Sequence, residues 1–208
     1  MSTSLKQNKK FLQLLNLKKN PAVILGLSIT GLGIIRCLGR KKIPCIGIGR
    51  DEFEIGRFSK YCLSIICSED ELLNILLELA ELFDKRPVLF PTEDEFVLFV
   101  SKHRDILGSH YSFLISSSEL LNSILNKKEF YVLAQKHKQD VPYSIELSGE
   151  NALDQLNGDI HFPCIVKPQF IHEFKKHYSN KKVFVLNNID ELRENLSNVH
   201  KKKIGEFI

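Results

Sequence analysis

Lys127 and Lys167 are the residues whose type and setting most directly suggest chemistry in this chain. Lys127 opens the run Asn126-Lys127-Lys128-Glu129-Phe130-Tyr131, at the start of a helix-like stretch. Lys167 ends the apolar run Phe162-Pro163-Cys164-Ile165-Val166-Lys167-Pro168, a strand that delivers one charge at its tip. An ammonium at the end of a buried strand must find a partner or reach solvent. Two such cations, on a helix start and a strand end, could converge on a polyphosphate, where charge neutralisation is the main task of phosphoryl transfer. Taken singly, either reads as a surface lysine; only the ordered pair points to a polyphosphate.

A second set of candidates lies nearer the amino terminus. Gly26-Leu27-Ser28-Ile29-Thr30-Gly31-Leu32-Gly33 falls after an apolar run of strand length and before a helical pattern. Backbone N–H groups at such a turn can hold an anion, which makes Gly26, Ser28 and Gly31 candidates for a substrate or anion site. Glycine for tight strand–helix packing explains the same residues. No Gly-Lys-Ser/Thr follows, so the turn is not a P-loop, and it lacks the spaced dinucleotide fingerprint. Asp51 and Glu52 downstream could imitate a ribose-binding acid, and a nicotinamide-dependent oxidoreductase is the reading they would support. Pro91-Thr92-Glu93-Asp94-Glu95 follows another strand, where open α/β sheets bind ligands, so Glu93 and Asp94 join the candidates. The alternative is that Thr92 caps a helix whose N-terminus the acids favour electrically. Seven histidines show no tight ligand spacing, and no metal site is expected. No catalytic residue is assigned.

These groups need a scaffold, and the composition supplies one. With 208 residues, 43% apolar and 26% charged, the chain suits one large domain, or one complete domain and part of another. A net charge of +4 does not indicate nucleic acid, and the lysine clusters read as solvated surface. Five cysteines without a CxxC pair read as small core residues of a reducing compartment. No signal peptide is apparent, and no apolar run reaches the roughly 18 residues that span a bilayer. A soluble, cytoplasmic protein without a membrane partner is expected.

The periodicities predict an amino-terminal extension over 1–19 with an amphipathic stretch at 4–17. A Rossmann-like unit follows over 20–115, with strands at Ala22–Leu25, Cys45–Ile48, Cys62–Cys67 and Pro87–Pro91. Helices are predicted at Gly31–Leu38, Glu69–Phe83 and Glu93–Arg104; Ser68 and Glu71 supply the capping pair of the second. Strands alternating with helices of this length imply a parallel sheet with crossover helices, hence an α/β class. A second, α+β unit is predicted over 116–208. Its strands are Tyr143–Leu147, Cys164–Lys167, Lys182–Leu186 and Ile204–Ile208, with helices starting after Asn126 and spanning Asn151–Leu156 and Ile189–Leu196. The strands flanking 169–180 should pair as a hairpin.

From about Ala22 to Ile208 the chain resembles the ATP-grasp proteins related to carbamoyl-phosphate synthase large chains and D-aspartate ligase. The resemblance is carried by Gly31-Leu32-Gly33 with Arg36, Val88 to Glu95, Asn126-Lys127 with Phe130, Val141-Pro142, Phe162 to Pro168, and Glu206-Phe207-Ile208. It implies a pre-ATP-grasp domain followed by the first ATP-grasp subdomain, truncated at the hinge. Lys127 and Lys167 would hold the ATP phosphates, with Glu206, Phe207 and Ile208 at the adenine-binding hinge and Gln169 to Asn180 as a loop over the phosphates. Asn126 stands where the family usually has aspartate, and Lys128 leaves the register of the first lysine open by one. The family forms an acyl-phosphate from a carboxylate and ATP, then transfers the acyl group to an amine or another nucleophile. Nucleotide and a small carboxylate are therefore the expected partners. Magnesium is expected only with a carboxyl-terminal part, so the chain alone should not ligate. The strand Ile204–Ile208 would leave an edge for association with another chain or with a separate carboxyl-terminal half. A non-catalytic binding or regulatory module with the same fold is the other reading.

Overall fold

The computed structural model describes residues 20–145, 160–167 and 183–201. The chain divides into two units, Met1–Ser118 and Glu119–Ile208.

Four strands without a charged residue build the sheet of the first unit: β1 (Ala22–Leu25), β2 (Cys45–Gly49), β3 (Cys62–Ile66) and β4 (Val88–Pro91). Such runs suit strands covered on both faces, which is the condition for an all-parallel sheet. The order is β3-β2-β1-β4, every neighbour pair parallel, with Ala22 opposite Cys45 on one side and Val88 on the other. Alternation along β1 splits the core into two layers. Val23 and Leu25 face a layer with Leu72, Leu76, Leu79, Phe96, Val100 and Tyr111. Ala22 and Ile24 face Leu27, Ile35, Cys45 and Cys62. Because β2 and β4 lie on opposite sides of β1, the strand order reverses there, which opens a crevice at the carboxyl ends of β1 and β4.

The helices are α1 (Ile29–Arg40), α2 (Glu69–Ala80), α3 (Asp94–Lys102) and α4 (Arg104–His110). The Glu71 carboxylate accepts from both the backbone N–H and the hydroxyl of Ser68, which fixes the start of α2. That helix stops at Ala80, short of the expected Phe83, as Leu82 and Phe83 donate to Leu79 and Ala80 in tighter three-residue turns. The expected Glu93–Arg104 helix divides at His103 (φ −104°, ψ 23°), where α3 ends and α4 begins. A short 3-10 helix, Ile55–Phe58, and a bridge between Val88 and Ser112 complete the unit. Of the cysteines, Cys45, Cys62 and Cys67 are buried as expected, but Cys37 is exposed on α1.

In the second unit the described helices are α5 (Ser118–Leu125), which begins at the boundary, α6 (Lys127–Lys136) and α7 (Ile189–Lys201). Asn126 caps α6, its side chain accepting from the N–H groups of Lys128 and Glu129. The strands β5 (Cys164–Val166) and β6 (Phe184–Leu186) pair antiparallel, Ile165 opposite Val185. That is the hairpin expected across 169–180. Val166, Leu186 and Leu192 are buried, whereas α5 and α6 bury no residue fully. The strand expected at Tyr143–Leu147 is not present over Tyr143–Ile145. The segment 1–19, the helix Asn151–Leu156, the stretch Gln169–Asn180 and the strand Ile204–Ile208 lie outside the described residues. Among the described residues no helix is long and apolar enough to cross a membrane.

Candidate functional site

In the second unit a cavity of about 360 Å³ opens beside β5. Its size falls at the lower end of ordinary small-molecule sites. Tyr131 enters it from α6, Pro142 to Ile145 from the following segment, His161 and Cys164 to Lys167 from β5 and its approach, and Leu192 from α7. The wall is largely apolar, and Lys167 supplies its cationic side chain. β5 and β6 are short, and their outward positions stay open: Ile165 is 51% exposed and Val185, directly across, 59%. Alternation puts Lys167 on the same side of β5 as Ile165. An apolar pair therefore leads along the strand to a charge.

The helical side is set by the cap. With Asn126 fixing the first turn, Lys127 lies four residues before Tyr131, on the same face and about one 5.4 Å turn nearer the amino end. Tyr131 lines the cavity, whereas Lys127, half-buried one turn away, is not among its lining residues. Lys128 is exposed and shares its face with Val132, which is 60% exposed. The helical phase thus separates the two lysines. Glu206, Phe207 and Ile208 lie outside the described residues. Cys164 also lines the cavity, and burial pushes its thiol above the ordinary range, so it stays protonated at neutral pH and is a poor nucleophile.

Of the first unit's candidates, Gly26, Gly31 and Glu93 lie close together. Gly26 has φ +92°, and a side chain there would meet the Thr92 hydroxyl at 2.6 Å and the Glu93 carboxyl at 3.2 Å. A side chain on Gly31 would run into the Gly26 carbonyl, so close packing accounts for that glycine. Thr92 does not cap α3. Its hydroxyl donates back to Leu25 O at 2.8 Å, and Glu93 takes the N-cap position without a side-chain bond. Asp94 is exposed in the first turn of α3, and Ser28 occupies the N-cap of α1, also without a side-chain bond.

Several contributors carry no local signal. The carboxylate that engages the first turn belongs to Glu54, not Asp51 or Glu52; it accepts from the N–H of Leu27. Asp51 instead bonds the N–H of Phe53 in its own loop. Arg50, at the end of β2, bonds Glu95 in the first turn of α3, lies 3.6 Å from Glu69 of α2, and stacks 4.9 Å from the Phe96 ring centre. In the second unit Tyr131 lines the cavity without having been a candidate, although its four-residue spacing from Lys127 is visible in the sequence. Among the described residues no group of three His, Cys, Asp or Glu could hold a metal ion.

No family model matches the sequence, and no curated protein is significantly similar to it. Solved structures do match. The ADP complex of PurK, an N5-carboxyaminoimidazole ribonucleotide synthetase, superposes with a TM-score of 0.66 at 16% identity, over 92% of this chain and 46% of that one. The N5-carboxyaminoimidazole synthetase of Staphylococcus aureus with ADP gives 0.62 at 15% identity, over 93% and 48%. An L-amino acid ligase from Bacillus licheniformis gives 0.61 at 13%, over 92% and 44%. The chain spans less than half the length of each of these structures, and at such identities the likeness is one of fold.

Proposed function

We propose, from the partial ATP-grasp fold that this chain shares with those enzymes, that its second unit binds the phosphates of ATP between Lys127 and Lys167. The observation that carries this reading is the cavity that Lys167 lines together with Tyr131, one helical turn from Lys127. A polyphosphate joined to a flat apolar base needs both halves of such a site. Charge-assisted bonds from the ammonium groups would hold the phosphates, and Ile165 in the wall offers apolar surface on which a base can lie. His161 and Ser144, also in the wall, add polar contacts that fix orientation.

The ADP found in two of the fold relatives supports a nucleotide as ligand. The donor set fits ATP in charge and in apolar surface. Among the described residues no group of three His, Cys, Asp or Glu could hold a metal ion, so no magnesium ligand is assigned to this chain. The activity of the whole protein is proposed as that of an ATP-grasp ligase: a small carboxylate attacks the terminal phosphorus, ADP leaves, and an amine or thiol displaces phosphate from the acyl carbon. In that sequence Lys127 and Lys167 hold and neutralise the phosphates.

Isothermal titration of this chain with a non-hydrolysable ATP analogue is the direct test. Lys127→Ala and Lys167→Ala should each weaken binding by about 1–3 kcal/mol, roughly 5- to 150-fold, while Lys128→Ala leaves it within twofold or so. Unchanged affinity in both Lys127→Ala and Lys167→Ala would overturn the reading. The second reading is a binding or regulatory module with the same fold, motivated by the described residues, among which no group of three acidic, His or Cys ligands occurs. Hydroxylamine trapping across a panel of carboxylates separates the two: ATP-dependent hydroxamate marks a ligase, and nucleotide binding without it marks the module.

A further inference from the structure

Glu54 does something in the first unit that neither the fold nor the nucleotide reading requires. One oxygen of its carboxylate accepts from the N–H of Leu27, in the turn after β1. The other accepts from the N–H groups of Arg50 at 2.8 Å and Asp51 at 3.0 Å, in the loop after β2. Three backbone donors from two loops thus converge on one anionic group. Room for it is built into the backbone, since a Cβ on Gly49 would stand 2.7 Å from that second oxygen. The Glu54 loop is tied down again by the Gly56 N–H, which donates to Leu27 O at 2.7 Å. Converging N–H groups at the carboxyl ends of parallel strands are the means by which such sheets hold phosphates and carboxylates.

We propose that these N–H groups form an oxyanion cradle whose resident anion is the Glu54 carboxylate, so that the first unit is closed to outside phosphate or carboxylate while that side chain is in place. The ligand class of the cradle is a small oxyanion, and Glu54 is its specificity-determining residue. A neutral amide cannot replace it fully. The glutamine NH₂ would point a donor at a donor, leaving at least one N–H without an acceptor. The proposal concerns the first unit and stands whether or not Lys127 and Lys167 bind nucleotide. It also weakens a nicotinamide reading, because the Leu27 N–H of the turn that would take a pyrophosphate already bonds Glu54.

The test uses the full chain and two probes, sodium acetate and inorganic phosphate, each against sodium chloride of equal ionic strength. Glu54→Ala should melt several degrees below wild type and recover part of that loss, saturably, with acetate or with phosphate. Wild type should show no response beyond chloride. Recovery by acetate alone marks a carboxylate-sized cradle, and recovery by phosphate marks a larger one. Equal responses of variant and wild type to both probes would overturn the proposal. If Glu54→Ala does not fold, Glu54→Gln keeps the shape and tests the donors. Amide hydrogen exchange of at least one of Leu27, Arg50 and Asp51 should then quicken about tenfold or more. Unchanged exchange at all three would sink the idea.

Discussion

The two units treat apolar residues in opposite ways. In the first, every residue of β1 and β2 is buried, and helices α2, α3 and α4 close one face with Leu72, Leu76, Phe96, Val100 and Leu107. In the second, β5 and β6 each bury one residue of three, and α5 and α6 bury none fully. A closed core confers stability and leaves its loops to hold chemistry at the strand ends. A half-covered hairpin keeps apolar surface open, which is what a ligand with a flat base requires. Stability and binding should therefore separate along the chain, with core substitutions acting through the first unit and affinity changes through the second.

The largest expected effect tests the closed core. Phe96, 2% exposed and stacked under Arg50, fills the layer below β1. Phe96→Ala should cost about 3–5 kcal/mol in urea unfolding, and a loss below about 1 kcal/mol would show that the core is looser than its burial implies.

Tyr111 sharpens the same side of the contrast. Its buried hydroxyl donates to Leu76 O at 2.6 Å, and burial raises its pKa. A raised folded-state pKa gives stability that is fully present below the unfolded value, about 10, and lost as pH rises through the folded one. Cys45 acts with the same sign: burial pushes its thiol up to about 11, so its loss begins near the unfolded thiol value of about 8.5. Tyr111→Phe should lower stability at pH 7 by roughly 1 kcal/mol. It should also flatten the decline above about pH 10, read from unfolding midpoints across alkaline buffers. An unaltered alkaline slope would assign that decline to other groups.

On the second unit the effects should be smaller. Asn126→Ala removes the cap of α6 and should cost about 1 kcal/mol of helix stability. It should also weaken nucleotide binding if Lys127 needs that first turn, so loss of helicity by circular dichroism with unaltered affinity would detach Lys127 from the site. Ile165→Ala is the smallest perturbation of stability, within about 0.5 kcal/mol because the side chain is half exposed. A cost equal to that of Phe96→Ala would erase the contrast between the units.

Much of this arrangement is fixed by residues close together in sequence. Uninterrupted apolar runs at Ala22–Leu25 and Cys45–Ile48 demand strands buried on both faces, hence a parallel sheet. Ser68 with Glu71, and Asn126 before Lys127, set two helix starts through bonds that span three residues or fewer. Tertiary structure decided the rest, because the deciding contacts join residues far apart in the chain. Glu54 reaches Leu27 across 27 positions and Arg50 reaches Glu95 across 45, and neither bond leaves a periodic trace. Thr92 gives its hydroxyl to Leu25, 67 residues away, instead of capping its own helix. The break at His103 leaves no sign in the sequence, since one apolar stripe can be read through both a straight helix and a divided one. Local patterns specify which elements form, and only long-range hydrogen bonds and packing specify which side chains those elements bring to one place.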